Sequence, residues 1–193
     1  MLSDSAQLPT LTGEQVRLRW LTDQDVESLF DIFSHEDVVR YWSQPAMSGL
    51  DEAKALLQTV NQCFEQRSLF QWGIERLDTD GVIGTCTLAA LDPGNRRADL
   101  GFALHRRHWG NGFVSDALRT VLRFAFETLN MHRIEADVDP RNDRSIRVLE
   151  RQGFQREGFL RERWIVNGQI ADTLFFGLLR REWTGPPPGT RAS

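Results

Sequence analysis

The residue types most suited to chemistry lie together in one short stretch, Arg107–Gly112, which contains Arg-His-Trp-Gly-Asn-Gly. An apolar segment typical of a strand precedes it at 98–104, and a run with apolar residues at helical spacing follows it. The start of a helix offers unpaired backbone N–H groups and a partial positive charge, and glycine lets a ligand approach that backbone closely. The stretch therefore predicts a binding site for an anion, most often a phosphate or pyrophosphate.

Two common phosphate-binding patterns do not fit this stretch. A P-loop places Lys and then Ser or Thr after its last glycine, whereas Phe113 and Val114 stand there. The dinucleotide pattern G-x-G-x-x-G matches Gly110 and Gly112, but Ser115 replaces the third glycine and no repeated strand–helix series precedes it. Two glycines alone also fit an ordinary tight turn, so the arginine three residues before the first glycine is the sharper signal.

Length and composition indicate one ordinary globular domain. The chain has 193 residues, of which 40% are hydrophobic and 26% charged, which is enough to bury a sizeable core. The formal net charge of -4 argues against wholesale nucleic-acid binding, which requires a basic face, and is compatible with a cationic substrate.

Neither a metal site nor a membrane segment is expected. Cys63 and Cys86 stand far apart without a C-x-x-C pair, as is typical of free thiols in a reducing compartment. The histidines lack any spacing typical of metal ligands; they are His35, His105, His108 and His132. No apolar run approaches about 18 residues and no charged-then-apolar leader is present, so we expect no membrane span, no signal peptide and a cytoplasmic location.

The elements that must position the glycine stretch follow from apolar periodicity and turn residues. We expect a loose tail at 1–13, a single domain at 14–183 and a disordered tail at 184–193, where proline and glycine are frequent. The expected order begins with strand 16–20, a helix capped by Thr22 or Asp23, an irregular loop 35–49 and helix 51–67. Strands 69–77, 82–90 and 98–104 follow, then a helix to 130 and strand 134–138. The last elements are a helix from Asn142 to 149 ended by Gly153, and strands 154–159, 164–166 and 170–179. This order predicts an α/β (α+β) fold, a mixed sheet with helices on both faces.

Arg-x-x-Gly-x-Gly between a strand and a long helix is similar to the pyrophosphate loop of the GNAT family of N-acetyltransferases, which bind acetyl-CoA. The segment from Arg17 and the Asn142–Phe154 segment, with Ser145 and Gly153, resemble that family's RimJ/RimL branch. The resemblance covers about 14–183. It implies a mixed, mostly antiparallel sheet and acetyl transfer from acetyl-CoA to a primary amine, without a metal.

The resemblance also implies where acetyl-CoA binds. Backbone N–H groups of the loop would hold the pyrophosphate, with Arg107 adding charge, and strand 98–104 would splay so that its backbone pairs with the pantetheine arm. A backbone N–H near 102–104 would polarise the thioester carbonyl. The implied cofactor-binding residues are Phe102, Ala103, Leu104, Arg107, His108, Trp109, Gly110, Asn111, Gly112, Phe113 and Asn142.

Three acidic residues are candidates for the general base. Asp99 matches an acidic position that serves as base in a related branch, and we expect it beside Gly101 and Ala103 on the open face of its strand, while Leu100, Phe102 and Leu104 pack. A hydrogen-bonded structural carboxylate is the alternative interpretation of Asp99. Glu135 on the neighbouring strand is second and Glu162 third; Trp164 occupies the position where the RimL branch places its glutamate.

The proton donor for the leaving thiolate is less well defined by the motifs. Ser145 matches the family serine near the sulfur of CoA, although a serine in the first turn of a helix also serves that helix alone. Leu149 stands where many relatives have a tyrosine.

The acceptor remains open between several hypotheses. A protein N-terminal α-amine of the ribosomal-protein type is favoured, because deprotonating it at pH 7 costs about 1 kcal/mol, against roughly 4.6 kcal/mol for a lysine. A small-molecule amine is the rival, with Tyr41 and Trp42 walling its pocket. A non-catalytic acyl-CoA-binding module is the third hypothesis. We expect no nucleic-acid or membrane partner, and a monomer or homodimer.

Overall fold

The computed structural model describes residues 5–166 and 168–185. Most of the tail predicted at 184–193, and the turn residue Asn167, lie outside these described ranges. No helix within them is long and apolar enough to cross a membrane.

A single sheet organises the described part of the chain, which contains eight strands and five α-helices. The strands are β1 (Leu11–Thr12), β2 (Val16–Arg19), β3 (Leu69–Arg76), β4 (Val82–Asp92), β5 (Arg97–Leu104), β6 (Arg133–Val138), β7 (Gln155–Val166) and β8 (Gln169–Leu179). The helices are α1 (Val26–Phe33), α2 (Glu36–Val39), α3 (Leu50–Glu65), α4 (Phe113–Arg123) and α5 (Asp143–Arg151). The sheet order is β1-β2-β3-β4-β5-β6-β8-β7, and every pairing is antiparallel except β5–β6. The predicted fold class is thereby confirmed.

Two clusters of buried apolar side chains fill the two faces of the sheet. The larger joins the sheet to α4 and includes Trp72 and Leu118, both fully buried. The smaller joins the sheet to α1 and α3 and includes Leu57. The adjacent β5 residues Ala103 and Leu104 belong to different clusters. Since side chains alternate along a strand, the two clusters lie on opposite faces.

The predicted loose N-terminal tail is wrong for residues 8–12. Leu8 is buried in the larger cluster, and β1 pairs antiparallel with β2. The indole N–H of Trp72 donates to the Pro9 carbonyl at 3.0 Å, and the Arg67 guanidinium donates to the Ser5 carbonyl at 3.1 Å. The sequence pattern did not predict these contacts, because the segment is mostly polar and is attached through one leucine and two backbone carbonyl groups.

A buried carboxylate ties α4 to the start of the sheet. Asp116, in the first turn of α4, accepts hydrogen bonds from the backbone N–H groups of Glu14, Gln15 and Val16 at 3.1, 2.8 and 3.1 Å. Gly13 permits this close approach, since a Cβ atom there would lie 2.5 Å from Asp116 Oδ2. The helix that follows the glycine stretch is thus fixed at its N-terminal end.

Three element boundaries differ from the sequence prediction. The expected loop 35–49 contains α2, whose first turn carries two acidic residues that suit a helix start. The long helix changes at residue 124 into a π-helical turn, Phe124–Thr128. The strands predicted at 154–159 and 164–166 are one strand, β7, interrupted by an irregularity at which Glu162 has φ 55 and its N–H donates to Asp172.

Candidate functional site

The parallel strands β5 and β6 separate after three paired positions. Arg97, Ala98 and Asp99 pair with 133–135, and beyond Asp99 no pairing joins the two strands. β5 stays bonded to β4 up to Leu104, while β6 stays bonded to β8 up to Val138. The strands therefore splay into a cleft and leave part of the β5 backbone without a strand partner on that side, as the resemblance implied.

Three cavities surround this splay, named here for their walls. The cleft cavity, about 370 Å³, lies between β5 and β6 and is closed by β7, β8 and residues 41–44. The carboxylate cavity, about 170 Å³, lies beside the last paired positions and contains Asp99, Glu135 and Asp137. The loop cavity, about 930 Å³, lies between the glycine stretch and α5.

The cleft cavity and the loop cavity meet at a junction of shared side chains. The residues that line both are Tyr41, Trp42, Phe102, Asn142 and Ser145. A molecule extended along the loop cavity would therefore present its end to a second molecule in the cleft. Such an arrangement brings two reactants together end to end.

The glycine stretch has the geometry of an anion site. Gly110 and Gly112 have φ 82 and 83, the left-handed region that strongly favours glycine, and Gly112 is the N-cap of α4. A Cβ atom at Gly110 would meet nothing within 4 Å, so its backbone faces open space. The first turn of α4, including Val114 and Ser115, lines the loop cavity with N–H groups that have no intrahelical partner. This wall fits a pyrophosphate group.

Local hydrogen bonds fix the course of this stretch. His105 caps a 3₁₀ turn over 106–108, its Nδ1 accepting the Arg107 N–H at 3.1 Å. The indole of Trp109 donates to the Leu104 carbonyl at 2.8 Å, and the side chain of Asn111 donates to two loop carbonyls. Burial, and then the nearby Arg76 and Arg107 charges, hold the pKa of His108 below its ordinary value.

The predicted loop residues divide into two groups. The backbone or side chains of Ala103, Leu104, His108, Trp109, Gly110, Gly112 and Phe113 line the loop cavity. Arg107 and Asn111 do not line it, whereas the adjacent Arg106 does. Asn111 therefore stabilises the loop through its hydrogen bonds instead of lining the cavity. Arg107 lies outside the cavity wall, so its positive charge at the pyrophosphate stays a prediction.

Sequence reasoning missed a cationic wall opposite the glycine stretch. Arg144, Arg147 and Arg151 line the loop cavity from α5, and the guanidinium of Arg144 lies 4.5 Å from the centroid of the Trp109 ring. Their spacing of three and four residues places them on one face of the helix. That spacing was visible in the sequence and could have identified a phosphate-facing surface.

The carboxylates of the carboxylate cavity differ in their partners. Both oxygens of Glu135 accept hydrogen bonds from arginines, Oε2 from Arg97 and Oε1 from Arg133, each at 2.6 Å. Among the described residues, no hydrogen bond or ion pair engages the side chains of Asp99 or Asp137. Glu135 is therefore a structural carboxylate here, while Asp99 and Asp137 are available to a ligand.

The pKa of each available carboxylate is raised above its ordinary value. Burial raises the pKa of Asp99, the nearby Glu135 and Asp137 charges add to this, and Arg97 and Arg163 oppose it. Partial burial likewise raises the pKa of Asp137, with Arg163 opposing and Glu135 adding. A raised carboxyl pKa favours proton acceptance near neutral pH. Asp137 was not among the sequence candidates, although it lies two residues after Glu135 and so points to the same face.

The expected division of β5 faces is partly wrong. Asp99 and Gly101 line the carboxylate cavity as expected, but Ala103 is buried in the cluster under α1 and α3. Phe102 packs against the larger cluster as expected, but it is only partly buried and also lines the junction. Within β5, Gly101 leaves room for a cavity, whereas the small side chain of Ala103 leaves room for packing under α1 and α3.

Of the remaining candidate residues, all but Glu162 line at least one of the three cavities. Asn142 caps α5, its Oδ1 accepting the Ser145 N–H at 3.2 Å, and both residues line the junction. Leu149 and Trp164 line the cleft cavity. Glu162 lines none of the three cavities, so the structure does not bring the third base candidate to the site.

Tyr41 is a second hydroxyl at the junction that sequence reasoning assigned only to a pocket wall. Its Oη donates to the Arg141 carbonyl at 3.1 Å. This hydrogen bond joins the loop before α5 to the 41–44 segment, and the Arg141 guanidinium pairs with Asp139 at 2.7 Å within that loop. Ser145 and Tyr41 thus both carry exchangeable protons where the two cavities meet.

Comparison with known proteins shows that the chain is similar to acetyltransferases. Residues 15–155 match the family described as an acetyltransferase (GNAT) domain. The chain is 37% identical over 172 residues to an uncharacterized N-acetyltransferase, YoaA, of Bacillus subtilis (strain 168), covering 89% of this chain and 97% of that protein. It is 28% identical over 182 residues to the ribosomal protein uS5-alanine N-acetyltransferase of Escherichia coli (strain K12), covering 90% and 92%.

Solved structures share the fold. The spermidine N-acetyltransferase from Vibrio cholerae, in complex with CoA and spermine, superimposes with a TM-score of 0.77 at 24% identity, covering 87% of this chain and 97% of that one. At this identity the likeness concerns the fold.

Proposed function

Because the chain belongs to the acetyltransferase (GNAT) family and is an N-acetyltransferase, we propose that it moves the acetyl group of acetyl-CoA to a primary amine that enters through the cleft cavity. The observation that carries this proposal is the junction of the loop and cleft cavities at Phe102, Asn142 and Ser145. Two chemically different cavities that share these side chains suit a donor and an acceptor that react end to end.

The residues of the loop cavity fit the parts of acetyl-CoA. When bound, this co-substrate supplies a thioester as the acyl donor. N–H groups in the first turn of α4 hold the pyrophosphate, and Arg144 and Arg147 provide positive charge for phosphate groups on the opposite wall. The unpaired backbone edge of β5 beyond Asp99 positions the pantetheine arm, and an N–H in 102–104 donates to the thioester carbonyl.

Proton transfer is assigned to side chains on both sides of the junction. The incoming amine arrives as an ammonium, and Asp99 accepts a proton from it so that the nitrogen lone pair can attack the carbonyl carbon. As the C–S bond breaks, Ser145 gives its hydroxyl proton to the departing sulfur and takes up the second proton that the acylated nitrogen loses, with Tyr41 as the alternative hydroxyl at the junction. Asp137 adds negative charge beside Asp99 and favours a cationic acceptor.

A protein N-terminal α-amine is the proposed acceptor. An α-amine needs about 1 kcal/mol to deprotonate at pH 7, which suits a site whose base is a carboxylate rather than a stronger base. The similarity to an enzyme named for a ribosomal-protein alanine supports this assignment.

A small polycationic amine is the second candidate, and one observation favours it. Asp99 pairs with Glu135 across the β5–β6 register, and Asp137, two residues after Glu135, lines the same cavity as Asp99. Two available carboxylates in one cavity suit an acceptor with a second cation a few bonds from the reacting nitrogen. We place the reaction in the cytoplasm, in keeping with two free thiols, Cys63 and Cys86.

Release of free CoA thiol distinguishes the acceptors. The full chain is given acetyl-CoA with peptides whose first residue and second residue are varied, and separately with diamines and polyamines, and kcat/KM is compared. We expect the highest value with a peptide α-amine and none with an N-acetylated control peptide. A higher value for polyamines would replace the first acceptor by the second. Acetyl-CoA binding without turnover of any amine would support a non-catalytic acyl-CoA-binding module.

A further inference from the structure

A second cluster of chemistry-bearing side chains lies outside the proposed active site. Asp31 belongs to α1, His35 follows that helix, and His105 follows β5. One ligand atom from each of these residues lies within 4.8 Å of the other two. Asp31 and His35 are four residues apart, but His105 reaches them only through the fold. Local sequence spacing therefore gave no sign of the cluster.

The buried histidine of this cluster has an unused ring nitrogen. The His105 side chain is 4% exposed, and its Nε2 lies 3.3 Å from Asp31 Oδ2 without forming a hydrogen bond among the described residues. Its Nδ1 accepts the backbone N–H of Arg107 at 3.1 Å. Because an accepting nitrogen carries no proton, the neutral ring holds its proton on Nε2, which faces the other two residues.

We propose that Asp31, His35 and His105 form a regulatory binding site for a zinc-like divalent cation. Two imidazole nitrogens and one carboxylate oxygen are a common zinc ligand set, with a fourth position for water. The Nε2 atoms of His35 and His105 lie 3.9 and 3.3 Å from the nearer Asp31 oxygens, so small side-chain movements close the ligands around one ion. The Asp31 side chain is 54% exposed, which provides an entry path.

Because of the tautomer of His105, cation binding at this site opposes the hydrogen bond that caps the 106–108 turn before the glycines. A cation bound at Nε2 displaces the proton there, and the proton moves to Nδ1, so that the ring stays neutral. A protonated Nδ1 no longer accepts the Arg107 N–H, and the cap of the 106–108 turn is lost. The bound cation and the capped loop therefore exclude each other. Because such coupling is reciprocal, the cation weakens acetyl-CoA binding and acetyl-CoA weakens cation binding.

Zinc titration of the full chain by calorimetry tests the site without acetyl-CoA. Because Cys63 is a partly exposed free thiol and thiols are good zinc ligands, every protein carries Cys63→Ser. We expect one Zn²⁺ per chain, at least tenfold weaker binding in His35→Gln and in Asp31→Asn, and unchanged binding in the control His132→Gln, whose side chain is exposed and outside the cluster. Equal zinc affinity in the parent, His35→Gln and Asp31→Asn proteins would overturn the proposal.

A second titration tests the coupling. The dissociation constant of acetyl-CoA is measured with and without saturating Zn²⁺, and we expect it to rise about fivefold or more in the parent and to stay constant in His35→Gln. An unchanged constant with Zn²⁺ demonstrably bound would overturn the antagonism. Since zinc binding is observed directly, its failure is distinct from a failure of the proposed acetyl transfer.

Discussion

On one side the β5–β6 cleft opens into the loop cavity, where arginines of α5 face the backbone of the glycine stretch. On the other side it opens into the carboxylate cavity, where Asp99 and Asp137 lie without a cationic partner in direct contact among the described residues. One side is basic and built largely from backbone, whereas the other is acidic and built from side chains. In the proposed reaction, the phosphate-rich donor therefore occupies the basic side, and the cationic acceptor in the cleft cavity lies next to the acidic side.

The two sides also differ in how the chain assembles them. Much of the loop cavity comes from the single segment 102–115, together with α5. The cleft and carboxylate cavities draw on β4, β5, β6, β7, β8 and the 41–44 segment. Backbone recognition of an anion needs a local conformation, while a side-chain pocket needs several strands in register. The first leaves a compact motif in the sequence and the second does not.

Replacing both glycines of the glycine stretch should abolish acetyl-CoA binding in the loop cavity. In the double variant Gly110→Val, Gly112→Val, β-branched residues must adopt φ values of 82 and 83, so the loop should leave its anion-binding conformation. We expect the rise in melting temperature caused by acetyl-CoA in the parent protein to disappear.

Gly81→Val is the matched control for this variant. Gly81 has φ 101 and open space around its Cβ position, but it lies in the turn between β3 and β4, away from the three cavities. Its acetyl-CoA shift should persist despite similar backbone strain. A full shift in the double variant would show that the pyrophosphate binds elsewhere.

On the acidic side, Asp99→Asn should separate catalysis from cofactor binding. Loss of a general base costs a factor of about 10²–10⁴, so kcat should fall by that range at pH 7 while the acetyl-CoA dissociation constant stays constant. The deficit should shrink as the pH approaches the pKa of the acceptor amine, because the substrate then arrives neutral. Wild-type turnover in this variant would make Asp99 a structural residue.

The same variant makes a prediction about stability. The raised pKa of Asp99 means that the protonated acid favours folding at low pH and that this contribution is lost as the pH rises through the folded-state pKa. Removing the charge should therefore leave the melting temperature at pH 7 equal or higher. A lower value would contradict the environment described for Asp99.

Glu135→Gln should show the opposite pattern, although it lines the same cavity. Its carboxylate bridges Arg97 and Arg133, so the substitution weakens two charge-assisted hydrogen bonds. We expect about 1–3 kcal/mol lower unfolding free energy in urea titrations, with turnover within about tenfold of the parent. A loss of turnover as large as that of Asp99→Asn, without loss of stability, would exchange the roles of the two carboxylates.

The C-terminal segment provides the reference with the smallest expected effect. Removing residues 185–193, rich in proline and glycine, should change neither the melting temperature nor the acetyl-CoA dissociation constant. Trp183 remains in this truncated chain and keeps its contact with Phe126, where the ring centroids are 5.3 Å apart. A clear drop in melting temperature would mean that the segment docks on the domain.

The part of the fold that the sequence predicted is the part encoded by local periodicity. The apolar stripe of α4 and the glycines before it were recognisable because a helix and its N-terminal turn are determined by near neighbours. The short α2 and the continuation of β7 through its irregularity were missed, since each depends on contacts with distant segments. At 160–163 the register of β7 against β8 shifts, which resembles a strand end in the sequence.

For the site, the motif located the stretch that lines the loop cavity but not the partners of the carboxylates. In the sequence, Asp99 ranked first as base because it matches an acidic position of a related branch, and Glu135 ranked second because it lies on the neighbouring strand. What separates them is two arginines, Arg97 and Arg133, which donate to Glu135 but not to Asp99. Such pairing depends on strand register and rotamers, which no local pattern specifies.

The buried Asp116 carboxylate has a consequence for the order in which this protein is made. It binds backbone N–H groups of Glu14, Gln15 and Val16, which precede it by 100 to 102 residues. At about 5–20 residues per second, a ribosome needs roughly 5–20 seconds to synthesise that interval. The first hairpin therefore emerges long before its anchor, and the base of the glycine loop is secured only after more than half of the chain has been translated.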